Sequence, residues 1–243
     1  MLQTLMVKLN PTEEQYQMLL DTMHKFNEAC NEIADTVFQM GRANKVEAHH
    51  MVYYDIRRKY GLSAQLTVRA ISKVVEAYKR DKSIKPQFRP DGAIVYDQRI
   101  LSWKGLEAVS ITTLQGRQIV PIVIGNYQRA RLDRVRGQAD LILVDGIFYI
   151  GVVVEVTEEP QYKPQGVLGV DVGIKYLAVD SDGEVHTGEK LNATRERMDS
   201  LKTRLQSKGT KSAKRHLKKL SKKTARFTKD TNHCISKRLV AKA

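Results

Sequence analysis

The sequence contains little cysteine and no long apolar run. Its two cysteines, Cys30 and Cys234, lie far apart and form no CxxC pair, so nothing suggests a disulfide framework or a zinc ribbon. No apolar run approaches the ~20 residues of a membrane-spanning helix, and the opening MLQTLMVKLNP is too short and too polar for a signal peptide. We therefore expect a cytoplasmic protein with reduced thiols, no bound zinc and no membrane partner.

The excess of positive charge lies in one region, the last fifth of the chain. The formal net charge is +14, and residues 191–243 hold 17 Lys and Arg against 3 Asp and Glu. Residues 1–190 hold 24 basic and 24 acidic residues and are neutral. Such asymmetry predicts a polyanionic partner, with nucleic acid ahead of an anionic membrane surface.

The first 83 residues read as one strand followed by three helices. LQTLMVKL over residues 2–9 predicts an opening strand. Thr12 and Gln15 have the spacing of a capping box, and an apolar stripe of period 3.6 continues for about seven turns. Further helices are predicted over residues 46–60 and 65–80, so residues 11–83 form a helical lobe.

Short β-runs separated by turn residues occupy residues 93–159. Their spacing predicts a small antiparallel barrel or sandwich. Because residues 2–9 also read as a strand, we expect a barrel formed by residues 1–10 and 84–160, with the helical lobe inserted into it. The Pro- and Glu-containing stretch over residues 158–166 is predicted to be a linker.

The most informative motif is GVDVGIKYLAVDSDG, residues 169–183. It reads as an apolar strand carrying Asp171, a tight glycine, a second apolar strand and an Asp-Gly turn at Asp182. A short third strand over residues 184–186 follows. Helices are predicted over residues 192–207 and 211–240, with a thin leucine seam on one side and basic residues on the other.

Asp171 allows three interpretations. A carboxylate in a buried apolar strand is costly without a cationic partner, which suggests the Mg²⁺-binding carboxylate of an RNase H-like nuclease. An actin- or sugar-kinase-type ATPase hairpin is a second possibility, weakened because Ile174 and Lys175 stand where hydroxyl residues are expected. The third is a solvated structural turn residue. Two-metal hydrolysis needs several converging carboxylates, and no acidic residue after Gly183 lies in an apolar strand, so the catalytic set is incomplete.

The basic helices are the candidate nucleic-acid surface, because like charges at this density repel one another unless phosphates neutralise them. The predicted contact residues are Arg195, Lys202, Arg204, Lys208, Lys211, Lys214, Arg215, Lys218, Lys219, Lys222, Lys223 and Arg226. Four aromatic residues, Tyr53, Tyr54, Phe88 and Trp103, have rings able to stack on bases, although we expect packing roles for each.

The order of these features resembles TnpB, the transposon-encoded RNA-guided DNA nuclease of the OrfB type, related to compact type V CRISPR effectors. The resemblance rests on the opening strand, the inserted helical lobe, the barrel, GVDVGIKYLAV and the basic helices. A short run, Asn232-His233-x-x-Ser236, is similar to the family's segment before its second catalytic strand. The resemblance implies an α+β protein with a wedge-type barrel, a recognition lobe and, over residues 161–243, the N-terminal part of an RNase H-like RuvC domain.

The resemblance also implies a chemistry and partners. Asp171 would be the first RuvC carboxylate and a ligand of Mg²⁺, and guide RNA and target DNA would be the partners, in the cytoplasm or nucleoid of a prokaryote. The strand with the catalytic Glu, the four-cysteine zinc ribbon and the final Asp are not found, so we expect a truncated member that does not cut DNA. The alternatives are a nuclease-dead RNA- or DNA-binding regulator, an inert remnant, or an ATPase fragment.

Overall fold

A computed structural model describes residues 1–158 and 166–243. By internal contacts the chain divides into two compact units, Met1–Glu159 and Pro160–Ala243. The predicted linker over residues 158–166 lies almost wholly outside the described residues.

Three helices follow the opening strand of the first unit. The strand is β1 (Leu2–Leu9), and the helices are α1 (Glu13–Met40), α2 (Lys45–Tyr60) and α3 (Ala64–Arg80). The predicted capping box is present, since the Thr12 hydroxyl accepts from the Gln15 N–H and the Gln15 side chain accepts from the Thr12 N–H. The sequence prediction of one strand and three helices is confirmed.

The remaining strands of the first unit complete an antiparallel sheet. They are β2 (Ile94–Tyr96), β3 (Leu101–Lys104), β4 (Ala108–Thr113), β5 (Gly116–Val123), β6 (Val135–Val144) and β7 (Ile147–Glu155). A short helix α4 (Asn126–Arg129) and a 3₁₀ turn (Leu132–Arg134) connect β5 to β6.

The seven strands form a nearly closed barrel in the order β2-β6-β7-β1-β5-β4-β3, with every pairing antiparallel. β1 lies in the middle and pairs with β7 over residues 2–8. The chain leaves the barrel after β1, forms α1 to α3 and returns in β2. The predicted antiparallel barrel is confirmed, whereas β3 was not predicted.

One hydrophobic core joins the barrel to its helices. Val7 of β1 and Met23, Phe26 and Ile33 of α1 are fully buried in the same cluster. Burying a side chain of this size stabilises the fold by about 1.5–3 kcal/mol. The apolar stripe on α1 is long because the helix buries residues from Leu19 to Val37 in this core.

Hydrogen bonds of Asn27 and Lys73 fix the segment that leads from α3 back to the barrel, and we call these two residues the clasp. The buried Asn27 amide donates to the carbonyls of Pro90 and Gly92 at 3.0 and 2.7 Å. Its Oδ1 accepts from Lys73 Nζ at 3.0 Å, and that ammonium lies 4.9 Å from the centre of the Phe88 ring. Burial lowers the pKa of Lys73. The predicted packing role of Phe88 agrees with this contact.

The second unit contains a small sheet and two long helices. The strands β8 (Val170–Asp171), β9 (Tyr176–Asp180) and β10 (Val185–Thr187) pair antiparallel in the order β10-β9-β8. The helices are α5 (Glu189–Lys208) and α6 (Lys211–Lys242), close to the predicted spans. An RNase H-like identity for this unit stays a prediction. No helix formed by the described residues is long and apolar enough to cross a membrane.

We expect Asn27→Ala to lower the free energy of unfolding by about 1–3 kcal/mol, because it leaves buried carbonyls and the Lys73 ammonium without their partner. Gln17→Ala, on the exposed face of the same helix, is the matched control and should change stability by less than about 0.5 kcal/mol. Urea unfolding followed by circular dichroism measures both. Equal effects would show that the clasp contributes nothing specific.

Candidate nucleic-acid interface and the Asp171 hairpin

The basic residues are carried by a helical hairpin with defined ends. α5 ends at Gly209, which has a φ of 61°, the left-handed conformation that glycine adopts most readily. Thr210 then caps α6, its hydroxyl accepting from the Ala213 N–H at 3.1 Å. The break predicted at residues 208–210 is therefore a two-residue turn between antiparallel helices, and we call residues 189–242 the basic hairpin.

Apolar residues hold the two helices together along a narrow line. Leu220 is buried, and Leu201, Leu205 and Leu217 are half-buried. A groove of about 500 Å³ runs beside this seam, and Met198 is among the residues that line it. The leucine seam predicted from the sequence is confirmed, and its narrowness leaves most of both helices in contact with solvent.

All twelve predicted contact residues are exposed. They are Arg195, Lys202, Arg204, Lys208, Lys211, Lys214, Arg215, Lys218, Lys219, Lys222, Lys223 and Arg226. Arg195 and Lys202 also line the interhelical groove, where Asp199 lies close to them. Like charges three or four residues apart on a helix destabilise it by roughly 0.2–0.5 kcal/mol per pair, so an anion bound along α6 would relieve this repulsion.

The surroundings of Asp171 differ from the sequence prediction. We expected a buried apolar strand, but Asp171 and Val170 are both exposed. Val172 and Ile174 are 76% and 82% exposed. The prediction of a buried carboxylate is therefore wrong: β8 is a two-residue outer strand of its sheet, and both of its residues are exposed to solvent.

The nearby carboxylates do not converge on Asp171. Asp171 is opposite Val179, whereas Asp180 is opposite Val170. Paired residues of neighbouring strands share a face and successive residues alternate, so Asp171 and Asp180 lie on opposite faces of the sheet. Within residues 1–158 and 166–243 there is no group of three or more His, Cys, Asp or Glu side chains able to hold a metal ion. These residues do not fit a two-metal nuclease centre.

Asp180 has a structural partner instead. Its side chain is fully buried, and its Oδ2 accepts from Lys242 Nζ near the end of α6 at 2.5 Å. Its Oδ1 accepts from the backbone N–H groups of Asp182 and Glu184 at 3.1 and 2.8 Å. Lys242 also lies 3.2 Å from the Asp182 carboxylate and 3.5 Å from that of Glu184. The β9–β10 turn predicted at Asp182-Gly183 thus anchors the end of α6.

These contacts shift the pKa values of both partners. The hydrogen bond from Lys242 and those from the two backbone N–H groups outweigh desolvation and lower the pKa of Asp180. The same bond to Asp180 raises the pKa of Lys242 above its usual range. Both groups are therefore charged at neutral pH. The sequence analysis missed this pair, because the two residues are 62 positions apart and no local pattern links them.

The comparisons with known proteins bear on the second unit. The sequence model of the OrfB_IS605 family, described as "Probable transposase", matches residues 151–243, which include Asp171, α5 and α6. Over these residues the chain is similar to the OrfB_IS605 family. The predicted resemblance to OrfB-type, TnpB-like proteins is confirmed.

A solved structure is similar over a wider range. A chain of the cryo-EM structure of a CRISPR-Cas12f ternary complex aligns with 88% of this chain at 14% identity and a TM-score of 0.39. This chain spans 58% of that chain's length. A similarity of this size carries no argument about fold or activity. No curated protein matches the sequence.

The Asp180–Lys242 pair predicts that the stability of the protein depends on pH. A carboxyl whose pKa is depressed in the folded state contributes stability at pH values above its unfolded pKa of about 3.9. That contribution is lost as the pH falls through the lower, folded-state pKa. We expect wild type to be more stable than Asp180→Asn at pH 6 to 7, about two to three units above that value, and the difference to shrink in acid.

Thermal unfolding across a pH series measures this difference. Asp182→Asn is the matched control, because its carboxylate is largely exposed and more distant from Lys242. Its stability should stay closer to that of wild type. Coincident pH–stability curves for wild type and Asp180→Asn would contradict the anchoring role.

Proposed function

We propose that this chain is a TnpB-type nucleic-acid-binding protein whose basic hairpin contacts phosphate groups of a guide RNA and of its target DNA. The observation that carries the proposal is the set of exposed cations on α5 and α6, located in the segment that matches the OrfB_IS605 family. Each cation that neutralises a phosphate releases counterions, and this release is the main source of sequence-independent affinity.

The composition of the basic hairpin favours contact with the nucleic-acid backbone over base stacking. Phe227 is its one aromatic residue, whereas proteins that grip single strands by their bases use a series of aromatic platforms. Lys and Arg at the helical spacing of α6 follow a line of phosphates without reading sequence. In this proposal the hairpin sets affinity and position, and sequence choice comes from base pairing with the guide.

We further propose that these residues bind nucleic acid without cutting it. Asp171 offers one exposed carboxylate, and the described residues include no group of three or more His, Cys, Asp or Glu side chains able to hold a metal ion. Phosphodiester hydrolysis by two metals needs several such ligands. Asp171 as the first ligand of a Mg²⁺ site remains a proposal that follows from the family, and no catalytic step is assigned to it.

Binding should depend steeply on salt. If 6–10 phosphates are neutralised, affinity for duplex DNA falls by roughly 10³–10⁵ between 50 and 200 mM salt. Replacing Lys211, Lys214 and Lys218 together with Gln should reduce the slope of log K against log salt by roughly one per cation. Fluorescence anisotropy of a labelled duplex gives both quantities.

The matched control removes the same charge from the first unit. Lys25→Gln, Arg58→Gln and Lys82→Gln together should leave the slope almost unchanged, since these exposed cations lie outside the basic hairpin. A salt-independent affinity in wild type, or equal losses in both triple variants, would contradict binding through the hairpin.

Cleavage gives a separate prediction. Incubated with supercoiled plasmid and MgCl₂, both the wild-type chain and Asp171→Ala should leave the DNA uncut, because the described carboxylates do not converge. Gel electrophoresis of the plasmid measures this. Nicking or linearisation by wild type that disappears in Asp171→Ala would refute the proposed lack of cleavage and support a Mg²⁺ site at that residue.

A further inference from the structure

The barrel does not close between its two end strands, and a cleft lies at this seam. β2 and β3 are the ends of the strand order. The cleft measures about 330 Å³ and is lined by both of them, with Tyr96 from β2 and Leu101 and Trp103 from β3. Ala139 of β6 and Val152 of β7 are also among its lining residues. Its volume is at the lower end of the roughly 300–1,000 Å³ that small-ligand sites occupy.

The cleft has a polar rim. Gln98, Ser102 and Asp133 join the apolar and aromatic residues in lining it. An amide both donates and accepts, a hydroxyl does the same, and a carboxylate accepts. The cleft therefore suits a flat ring with hydrogen-bonding atoms at its edge.

A cationic groove adjoins the cleft. Asp97, Gln98 and Gly137 line both depressions. The groove measures about 450 Å³, and the described side chains that line it include the cations Lys45, Arg69 and Arg99. The shared Gly137 has a φ of 74° and lies in a β-bulge where the register of β6 against β7 shifts. A bulge redirects the strand locally, here at the junction of the two depressions.

Asp97 is the one carboxylate among the described side chains that line the groove, and it is already paired with Arg69, which leaves an excess of positive charge. Arg69 donates to Asp97 Oδ2 through Nε and Nη2 at 3.0 and 2.6 Å, and to Gln138 through Nη1 at 2.7 Å. Burial acts to raise the pKa of Asp97, but hydrogen bonds from Arg69, the Arg99 N–H and Gln65 lower it overall. Asp97 therefore stays ionised against Arg69, and the charges of Lys45 and Arg99 remain for an anion.

We propose that this seam binds one unpaired nucleotide of a nucleic-acid strand, with its base in the cleft against Trp103 and its phosphate in the groove beside Lys45 and Arg99. The inference rests on the proposed nucleic-acid function and adds a second site, in the first unit, that contacts a base. A ring-sized cleft joined to a cationic groove matches a nucleotide, which couples a flat base to an anionic phosphate. Trp103 has the packing role predicted from the sequence, since it is half-buried against the core, and it also lines this cleft.

Trp103 provides a direct reporter, because it is the only tryptophan in the chain. The full chain is titrated with a labelled single strand of mixed sequence and with a strand of the same length made of abasic residues. Anisotropy of the label reports binding of either strand. We expect the mixed strand to quench Trp103 emission and the abasic strand to bind without quenching it.

Two substitutions distinguish binding in the cleft from binding elsewhere on the surface. Ala139→Leu fills the cleft and should lower affinity for the mixed strand by roughly five- to a hundredfold, the range for loss of one stacked base. Its affinity for the abasic strand should not change. Ala108→Leu, the same substitution in β4 away from the cleft, is the control and should affect neither strand.

Trp103→Leu and Trp103→Phe test the site even if Ala139→Leu fails to fold. Leu keeps an apolar side chain but cannot stack, so affinity for the mixed strand should fall over the same range, and Phe should restore part of it. Quenching by both strands alike, or strand binding with Trp103 emission unchanged, would overturn the proposal.

The test distinguishes this site from the basic hairpin. If no strand binds by anisotropy, the proposed function fails, and Trp103 quenching by AMP and GMP then decides the seam site. Quenching that Ala139→Leu removes would support the site, and absence of quenching would refute it.

Discussion

Repulsion among the cations of α5 and α6 is the constraint on which the second unit depends. The charge excess of the whole chain is carried by residues 191–243, and the two helices that carry it share only a narrow leucine seam. Each side chain of that seam contributes a few kcal/mol at most. At low ionic strength, repulsion between exposed like charges destabilises the basic hairpin. A polyanion bound to its surface would therefore also stabilise the hairpin.

The Asp180–Lys242 pair reduces this repulsion within the second unit, because it pairs one of the cations with acidic side chains. The last lysine of α6 is directed to three acidic side chains of one tight turn, and the buried Asp180 receives hydrogen bonds from that lysine and from two backbone N–H groups. The same arrangement uses carboxylates that a metal centre would need. With Asp171 on the opposite face, the small sheet has acidic residues but no convergent ligand set among the described residues.

Much of the fold could be predicted from the sequence, because local patterns determine it. The Thr12–Gln15 capping box and the period of α1 gave the first helix, and the Gly209-Thr210 turn gave the break between α5 and α6. β3 was missed although its residues Leu-Ser-Trp-Lys alternate between apolar and polar, because a run of only four residues is a weak signal for a strand. The burial of Asp171 was predicted wrongly, because an apolar run indicates a strand but does not tell whether another layer covers it.

The candidate site residues also divide into those that a local sequence pattern predicts and those that depend on the tertiary fold. Exposed cations on a helix follow from composition and period, so the exposure of all twelve could be predicted, whereas their contact with nucleic acid stays a prediction. The Asp180–Lys242 pair and the seam beside Trp103 depend on which distant segments the topology brings together, and a single sequence holds no local signal for either.

The central claim is that α5 and α6 form the phosphate-binding surface. Acetylation of lysines by a limiting reagent, read by mass spectrometry with and without a saturating RNA duplex, tests it most directly. If α5 and α6 bind the phosphates, the lysines of these helices from Lys202 to Lys223 become protected while Lys25 and Lys82 react as before. Protection confined to residues 1–158, or none at saturation, would contradict it.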